Sequence, residues 1–398
     1  MATRPLRILA AVGPGDVVAA HADQRRGVRT LSETSVTFSS QTFDAFRSLD
    51  ATFWAISSYP RADTKMVEGG RVENRPRGGG RAMRGWRWHG AQVAYAASLV
   101  RSALAFRATH AIVDSGTAHW FLFAPLRALG IQVVPNLHNV QWNEGFEGRG
   151  PKARGLKTLD GLFFRWCVRD ALGVSPECGR QVAILSSGRS RFHDYRAQFS
   201  AEDFASIDPP PVSASPFHVL FVGRIERNKG VFDLLETSEL LNKAGHDDVV
   251  IDVCGGGGAS AELAEQVRAR GLEGRVALHG KLERPALLDV YGRSSVVIVP
   301  TRSDFCEGLP MVCAEAVLAG RPVVTSRISN ALEALGAAVS EAAVDEPADY
   351  ARRLAELRED ADRRRRCTEA APWVARQFID PSRGLCAAIQ RALRPAKP

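Results

Sequence analysis

The chain has 398 residues, 45% hydrophobic and 24% charged, a composition that excludes a disordered or fibrous protein and allows two folded domains. Its net charge of +8 favours anionic partners, and no apolar run approaches the roughly 20 residues that a membrane-spanning helix needs. Seven cysteines, with no Cys-x-x-Cys among them, argue against a disulfide framework or zinc cluster and for reduced thiols in a cytoplasmic setting.

The first apolar run, Leu6–Val12, ends at Gly13-Pro14-Gly15-Asp16, so the N-terminus reads as a strand entering a turn rather than a secretory signal. Further strands are expected at Ala51–Ile56, Ala111–Asp114 and Gln132–Asn136, and at Leu172–Ser175 after a helix ending near Arg169. Arg75–His89 carries the densest positive charge, together with Trp86 and Trp88. Such a segment suits an anionic membrane surface, its plain alternative being a solvated arginine-rich loop, and no nucleic acid partner is expected. A helix from His119 is expected to stop at Gly130. The Pro-rich stretch Ser206–Pro216 reads as a stiff connector between a first domain, 1–208, and a second, 209–372. The tail, 373–398, reads as one or two helices interrupted at Pro381, with room to cross back to the first domain.

The second half alternates apolar, β-branched runs with helical stretches. Strands are expected at Phe217–Val222, Val249–Cys254, Arg275–Leu278, Val296–Pro300 and Pro322–Thr325, and helices at Val231–Lys243, Ala259–Arg270, Pro285–Gly292 and Met311–Ala319. Continuous apolar strands separated by helices are the pattern of a doubly wound parallel sheet. With a less regular version of the pattern in the first half, the expected fold class is α/β, two Rossmann-like domains facing a cleft where ligands bind.

Two clusters carry chemistry. The first strand of the second half runs into Gly223-Arg224-Ile-Glu-Arg-Asn-Lys229-Gly230. Glycine at a strand end lets a ligand approach the backbone, while Arg224 offers a planar fork of donors and Lys229 a compact cation, both suited to phosphate oxygens. The plain alternative pairs these cations with Glu226 or Asp233 at the surface. Further on, Glu307-Gly308-Leu309-Pro310-Met311-Val312-Cys313-Ala314-Glu315 joins a strand to a helix. Its two carboxylates can accept hydrogen bonds from neighbouring hydroxyls of a polyhydroxylated ligand. The run Cys254–Gly258 lacks the rest of a dinucleotide fingerprint and reads as a tight turn beside which a ligand could lie. The single Asp-x-Asp, Asp360–Asp362, lies in a charged helical stretch and reads as a solvated face, so no metal site is expected.

In this order, Gly-Arg-x5-Lys-Gly at 223–230, the glycine-rich turn, Val-x-Leu-x-Gly at 276–280, Glu-x7-Glu at 307–315 and Gly-x-Pro-Val-Val at 320–324 resemble the nucleotide-sugar domain of GT-B glycosyltransferases, more narrowly family 4 of the retaining enzymes (glycosyl transferases group 1). The resemblance is specific over 215–330, moderate over 110–180 and poor before 110. It departs from the commoner Glu-Gly-Phe-Gly by reading Glu-Gly-Leu-Pro, and Pro310 removes one backbone donor.

That resemblance implies a metal-independent hexosyl- or N-acetylhexosaminyl-transferase, without a cofactor, that takes a UDP- or GDP-linked sugar as donor. Arg224 and Lys229 would bind the diphosphate and stabilise its departure. Glu307 would contact the transferred sugar, Glu315 the ribose, and the amides of Gly308, Leu309, Pro310's neighbours Met311 and Val312, with Gly223, the phosphates and sugar. His138, at the end of Val133–Asn139, would face the donor sugar across the cleft. His119 and Gly15 stand where the family carries, respectively, a second histidine and a donor- or acceptor-contacting loop, although the usual adjacent glycines are missing. The acceptor would be a glycan or lipid-linked hydroxyl in cell-surface glycan, polysaccharide or glycolipid biosynthesis, at the inner face of the membrane. The rival readings are a GT-B-like nucleotide-sugar epimerase and an inactive sugar-nucleotide-binding protein.

Overall fold

The computed structural model describes residues 5–27, 35–78, 85–148, 150–210 and 215–394. Of the expected features, residues 79–84 of the Arg75–His89 segment, including Arg81 and Arg84, and 211–214 of the connector lie outside the described residues. The strands, in chain order, are β1 (Arg7–Val12), β2 (Ser35–Val36), β3 (Thr52–Ser57), β4 (Asp63–Val67), β5 (Gly70–Asn74), β6 (His110–Asp114), β7 (Gln132–Leu137), β8 (Asp170–Gly173), β9 (Arg191–Asp194), β10 (Gln198–Phe199), β11 (Phe217–Val222), β12 (Val249–Cys254), β13 (Val276–Gly280), β14 (Val296–Val299), β15 (Val323–Thr325) and β16 (Val339–Glu341).

They form two large sheets, ordered β4-β5-β3-β1-β6-β7-β8-β9 and β13-β12-β11-β14-β15-β16, and a ribbon of β2 with β10. Every pairing in the large sheets is parallel except the edge pair β4–β5. The inner strands are apolar throughout because helices cover both sheet faces: Val219, Ile251, Val296 and Ile298 are buried on one side of the second sheet, Leu220, Val297 and Val299 on the other. The expected α/β class with two Rossmann-like sheets is what the chain adopts.

Several local features differ from expectation. The His119–Gly130 stretch is a 3-10 turn, Trp120–Phe123, followed by a short helix, Ala124–Ala128. Pro125 has no N–H to carry the i-to-i−4 ladder through, so the helix restarts there. The β4–β5 hairpin escapes the apolar-run criterion because β4 is solvent-exposed and mostly polar. Trp86 and Trp88 lie in the first turn of a long helix, Gly85–Ala105, rather than in a loop. Trp373 belongs to the preceding helix, Ala361–Ala375, and beyond Pro381 the tail forms one helix, Leu385–Leu393.

That last helix buries Leu385, Ala388, Ile389 and Leu393 in the core of the first sheet's domain. The chain therefore passes between the two sheets twice. Arg196, almost fully buried, links the two passages: its amide donates to the Arg383 carbonyl (2.7 Å), its Nε to Gln377 Oε1 (2.8 Å) and its Nη1 to the Val174 carbonyl (3.1 Å).

The 3-10 turn is held by the helix Pro151–Cys167, whose Asp160 accepts a hydrogen bond from the Phe121 amide at 3.2 Å. Burial pushes the Asp160 carboxyl up to about 6, against the pull of the Phe121 and Trp120 amides. A raised carboxyl means that the folded state holds the proton more tightly than the unfolded state. The associated stability is present below the unfolded value and is lost as pH rises through about 6. Asp160→Asn keeps an acceptor but cannot ionise. Denaturant unfolding should show the variant gaining about 1–3 kcal/mol on the wild type between about pH 4 and about pH 8; a pH-independent difference would refute this account.

Candidate active site

In an open parallel sheet a crevice forms at the carboxyl ends of the two strands between which the winding order reverses. In the second sheet those strands are β11 and β14; in the first they are β1 and β6. Loops from all four, joined by the loop after β7, line one cavity of about 690 Å³ between the domains.

On the second-domain wall, β11 ends at Gly223 and the chain turns through the single 3-10 turn Arg227–Lys229 to Gly230. Gly230 has φ +73°, and a Cβ there would lie 2.0 Å from the Pro300 carbonyl oxygen. Only glycine lets this loop close against the end of β14, and that closure brings Lys229 to Glu307. The Lys229 ammonium donates to Glu307 Oε2, to which Thr301 also donates at 3.4 Å. Arg224 is more exposed and pairs with Glu226 at 2.9 Å. Exposed pairs of this kind contribute little, so an anion in the cavity can draw the guanidinium away. Asp233, the other partner considered for these cations, binds Arg302 at 2.7 Å. Phe305 lies beneath both cations, its ring centre 4.3 Å from Lys229 Nζ and 5.6 Å from the Arg224 guanidinium.

The Glu307–Glu315 segment places its carboxylates at two heights. Glu307 sits in the loop; Glu315 lies buried within the helix Met311–Leu318, where it accepts from the Tyr291 hydroxyl at 2.7 Å. Burial and the adjacent Glu315 hold the Tyr291 phenol well above its ordinary value, so it stays a donor. Leu309, Pro310, Met311 and Val312 line the cavity at the start of that helix, with Pro310 as N-cap residue. The unpaired first-turn amides of a helix favour negative charge nearby.

Gly308 lies behind this wall rather than in it. A Cβ on it would be 1.9 Å from the His138 carbonyl oxygen and 2.6 Å from Val174 Cγ2. The domains therefore touch backbone to backbone here, supported by the Val140 amide donating to the Glu307 carbonyl (3.4 Å) and by Asn143 Nδ2 donating to the Ser303 and Phe305 carbonyls (2.9 and 2.8 Å). The glycine-rich turn after β12 also acts on backbone: a Cβ on Gly255 would be 1.8 Å from the Gly223 oxygen, and one on Gly257 2.3 Å from the Ile225 oxygen. These glycines buttress the Arg224 loop and do not line the cavity.

The first-domain wall contains His138 just beyond β7, Gly13 to Gly15 after β1, Asp114 and Ser115 at the end of β6, and Phe38, Ser39 and Thr42. Both ring nitrogens of His138 have protein partners: Nδ1 is 3.1 Å from the Tyr195 hydroxyl, and Nε2 is 3.1 Å from Asn136 Nδ2 and 3.2 Å from Asp114 Oδ2. Tyr195 donates in turn to Asn136 Oδ1 (2.8 Å), and Asn136 Nδ2 to Asp114 Oδ1 (2.7 Å), which closes a ring of four side chains. The Gly13 amide also donates to Asp114, at 3.1 Å. His119 stands apart from this wall, bonded to His89 at 2.9 Å.

The structure thus brings Gly15, His138, Gly223, Arg224, Lys229, Glu307, Leu309, Pro310, Met311, Val312 and Glu315 around one cavity, with Gly308 at the seam behind it. Sequence reasoning missed Asp114, Tyr195, Tyr291 and Phe305. Of these only Asp114 carried a signal, a polar residue at the end of an apolar strand. Among the described residues, no group of three or more His, Cys, Asp or Glu converges as a metal's ligands would. The cavity offers two cations and a helix start for an anion, beside carboxylates placed for hydroxyl donors.

Comparison with known proteins bears on the family and the fold. The sequence profile of glycosyl transferases group 1 matches residues 206–373. The chain is 30% identical over 298 residues to an alpha-D-kanosaminyltransferase of Streptomyces kanamyceticus, covering 68% of this chain and 72% of that protein. It is 31% identical over 172 residues to a D-inositol 3-phosphate glycosyltransferase of Arthrobacter sp. (strain FB24), a match covering 42% of this chain and 40% of that relative's length. A UDP-forming alpha,alpha-trehalose-phosphate synthase from Burkholderia vietnamiensis shares the GT-B fold, with a TM-score of 0.70, 14% identity and 98% of each chain covered.

The Gly308 seam is testable without knowing a ligand. Gly308→Ala should push the His138 backbone away and open the cleft. Small-angle scattering should then show a larger radius of gyration with an unchanged far-ultraviolet spectrum; a wild-type scattering curve would contradict the seam.

Proposed function

Since the chain belongs to the glycosyl transferases group 1 family, we propose that it moves a sugar, with retention of configuration, from a nucleoside diphosphate sugar to a hydroxyl acceptor. The observation that carries this reading is the convergence of Arg224, the Lys229–Glu307 pair, Glu315 and the start of the helix Met311–Leu318 on one cavity. The diphosphate fits against Arg224, Lys229 and the first-turn amides, the sugar against Glu307 and His138, and the ribose against Glu315, whose carboxylate Tyr291 orients.

When the sugar–phosphate bond breaks, positive charge develops on the anomeric carbon and negative charge on the departing diphosphate. Groups that favour the second charge more as it grows lower the barrier, and those already fixed in place do so without reorganising. Arg224 and Lys229 occupy that position, so no metal is called for. Before the donor arrives, Lys229 is neutralised by Glu307; a bound diphosphate offers it a second anion and leaves Glu307 to accept from sugar hydroxyls. Retention follows from attack on the face the phosphate leaves, the phosphate oxygen taking the acceptor's proton. Glu307 is then neither nucleophile nor base.

The acceptor belongs against the first-domain wall, where Ser39, Thr42, Asp114 and Ser115 offer hydroxyl and carboxylate partners. In this reading the enzyme works in the cytoplasm, at the inner membrane face where lipid-linked glycans are built, with the cationic Arg75–His89 segment, its Trp86 81% exposed, as one contact.

A thermal-shift panel of nucleotide sugars and free diphosphates, without added metal, tests the donor site. Ligand at about ten to a hundred times its dissociation constant adds roughly 1.4–2.7 kcal/mol of stability. One nucleotide class should raise the melting temperature, and Glu315→Ala should weaken that response by about tenfold, the worth of about 1.4 kcal/mol. No response from any nucleotide would overturn the reading. With the donor known, Arg224→Ala should lower kcat by about a hundredfold with little change in donor binding; weakened donor binding with kcat unchanged would make Arg224 a binding residue only.

A further inference from the structure

We propose that the outer face of the helix Pro151–Cys167, with the end of the helix Pro176–Ser186 beside it, docks on an anionic lipid bilayer. The first helix buries Phe163 and Phe164 and turns Asp160 inward to the Phe121 amide. On its opposite side Leu159, Leu162 and Trp166 are 44%, 51% and 61% exposed. At 100° per residue these three fall within about 60° of one another, a continuous apolar stripe. Ile184 of the neighbouring helix, 63% exposed, adds to it.

The charges around the stripe have one sign. Lys152, Arg154 and Arg165 are exposed on the helix and exposed Arg169 follows it, whereas Lys157 lies on the helix's other side, over the Trp142 ring at 3.9 Å from its centre. The guanidinium groups of Arg189 and Arg165 lie over the Trp166 ring, 4.4 and 5.4 Å from its centre. Guanidinium on indole at a surface presents an amphipathic pair whose apolar body and charged tips suit the headgroup region.

Charge decides the occupant. A second copy of this face would set the same cations against one another. A nucleic acid would satisfy the cations but leave the Leu and Trp stripe in water. A bilayer rich in anionic lipid meets both halves, phosphates for the arginines and acyl boundary for the stripe.

The proposal deepens the membrane part of the reading above, rests on it in no other respect, and moves the principal contact to a different helix. Co-sedimentation of the full chain with phosphatidylcholine vesicles, with and without phosphatidylglycerol, tests it. The wild type should bind only the anionic vesicles. Leu162→Gln/Trp166→Gln and Arg165→Glu/Arg169→Glu should each weaken that binding by about tenfold or more, with unchanged melting curves, whereas Arg87→Glu should change it little. Quenching by brominated lipid should fall in Trp166→Phe. Loss of binding in Arg87→Glu but not in the helix variants would overturn this proposal while sparing the Arg75–His89 contact. No vesicle binding by the wild type would overturn both, leaving the donor site untouched. Loss in the arginine pair alone, or conversion of a dimer to a monomer by Leu162→Gln/Trp166→Gln, would also overturn it.

Discussion

The largely buried ion pair between Lys229 and Glu307 is the interaction around which the cleft is organised. Bringing an ammonium and a carboxylate out of water is costly, and such a pair seldom improves on apolar packing. Its placement here follows from close backbone contacts: Gly230 against Pro300, Gly255 against Gly223, Gly308 against His138. Each contact excludes a Cβ, and together they fix two loops from opposite sides of the β11–β14 reversal. Backbone contacts therefore place the pair, and Phe305 and Thr301 are its side-chain neighbours. An arriving anion has only to compete with one carboxylate for the lysine.

The first domain contributes a different kind of rigidity. Asp114, Asn136, His138 and Tyr195 satisfy one another in a closed ring at the floor of the opposite wall. Because both imidazole nitrogens already have partners, a ligand meets the His138 ring as a polarised surface, packed on Phe38 at 4.9 Å, unless it displaces one of them. Burial and the neighbouring Asp114 keep the Tyr195 phenol well above its usual range, so the ring keeps its hydroxyl donor across ordinary pH. The same wall receives the C-terminal helix, whose Leu385 amide donates to Gln41 Oε1 at 2.8 Å while its side chain borders the cavity.

Legibility in the sequence tracked how local the physics was. Strands such as Val249–Cys254 and Phe217–Val222 were readable because burial on both faces leaves an unbroken apolar run. The loops carrying Arg224, Lys229, Glu307 and Glu315 were readable because strand ends at a winding reversal are where such residues act. The β4–β5 hairpin was not, since an exposed edge needs no apolar pattern. Tyr291 and Tyr195 act on partners 24 and 57 residues away in sequence, and no spacing announces that. The glycines at 255 and 257 were visible as a run, but their purpose, admitting another backbone segment, belongs to the packed structure.

Gly308 joins these two walls into one device. It belongs to the loop that carries Glu307, yet its Cα lies against the carbonyl of the first domain's His138. The Glu307 carbonyl meanwhile accepts from Asn330 within its own domain at 2.7 Å and from Val140 across the cleft at 3.4 Å. The loop that would hold the donor is therefore itself part of the domain contact. The charged site and the domain contact are, on this geometry, built on one loop: the Glu307 carboxylate faces Lys229 while its backbone carbonyl and Gly308 meet the first domain.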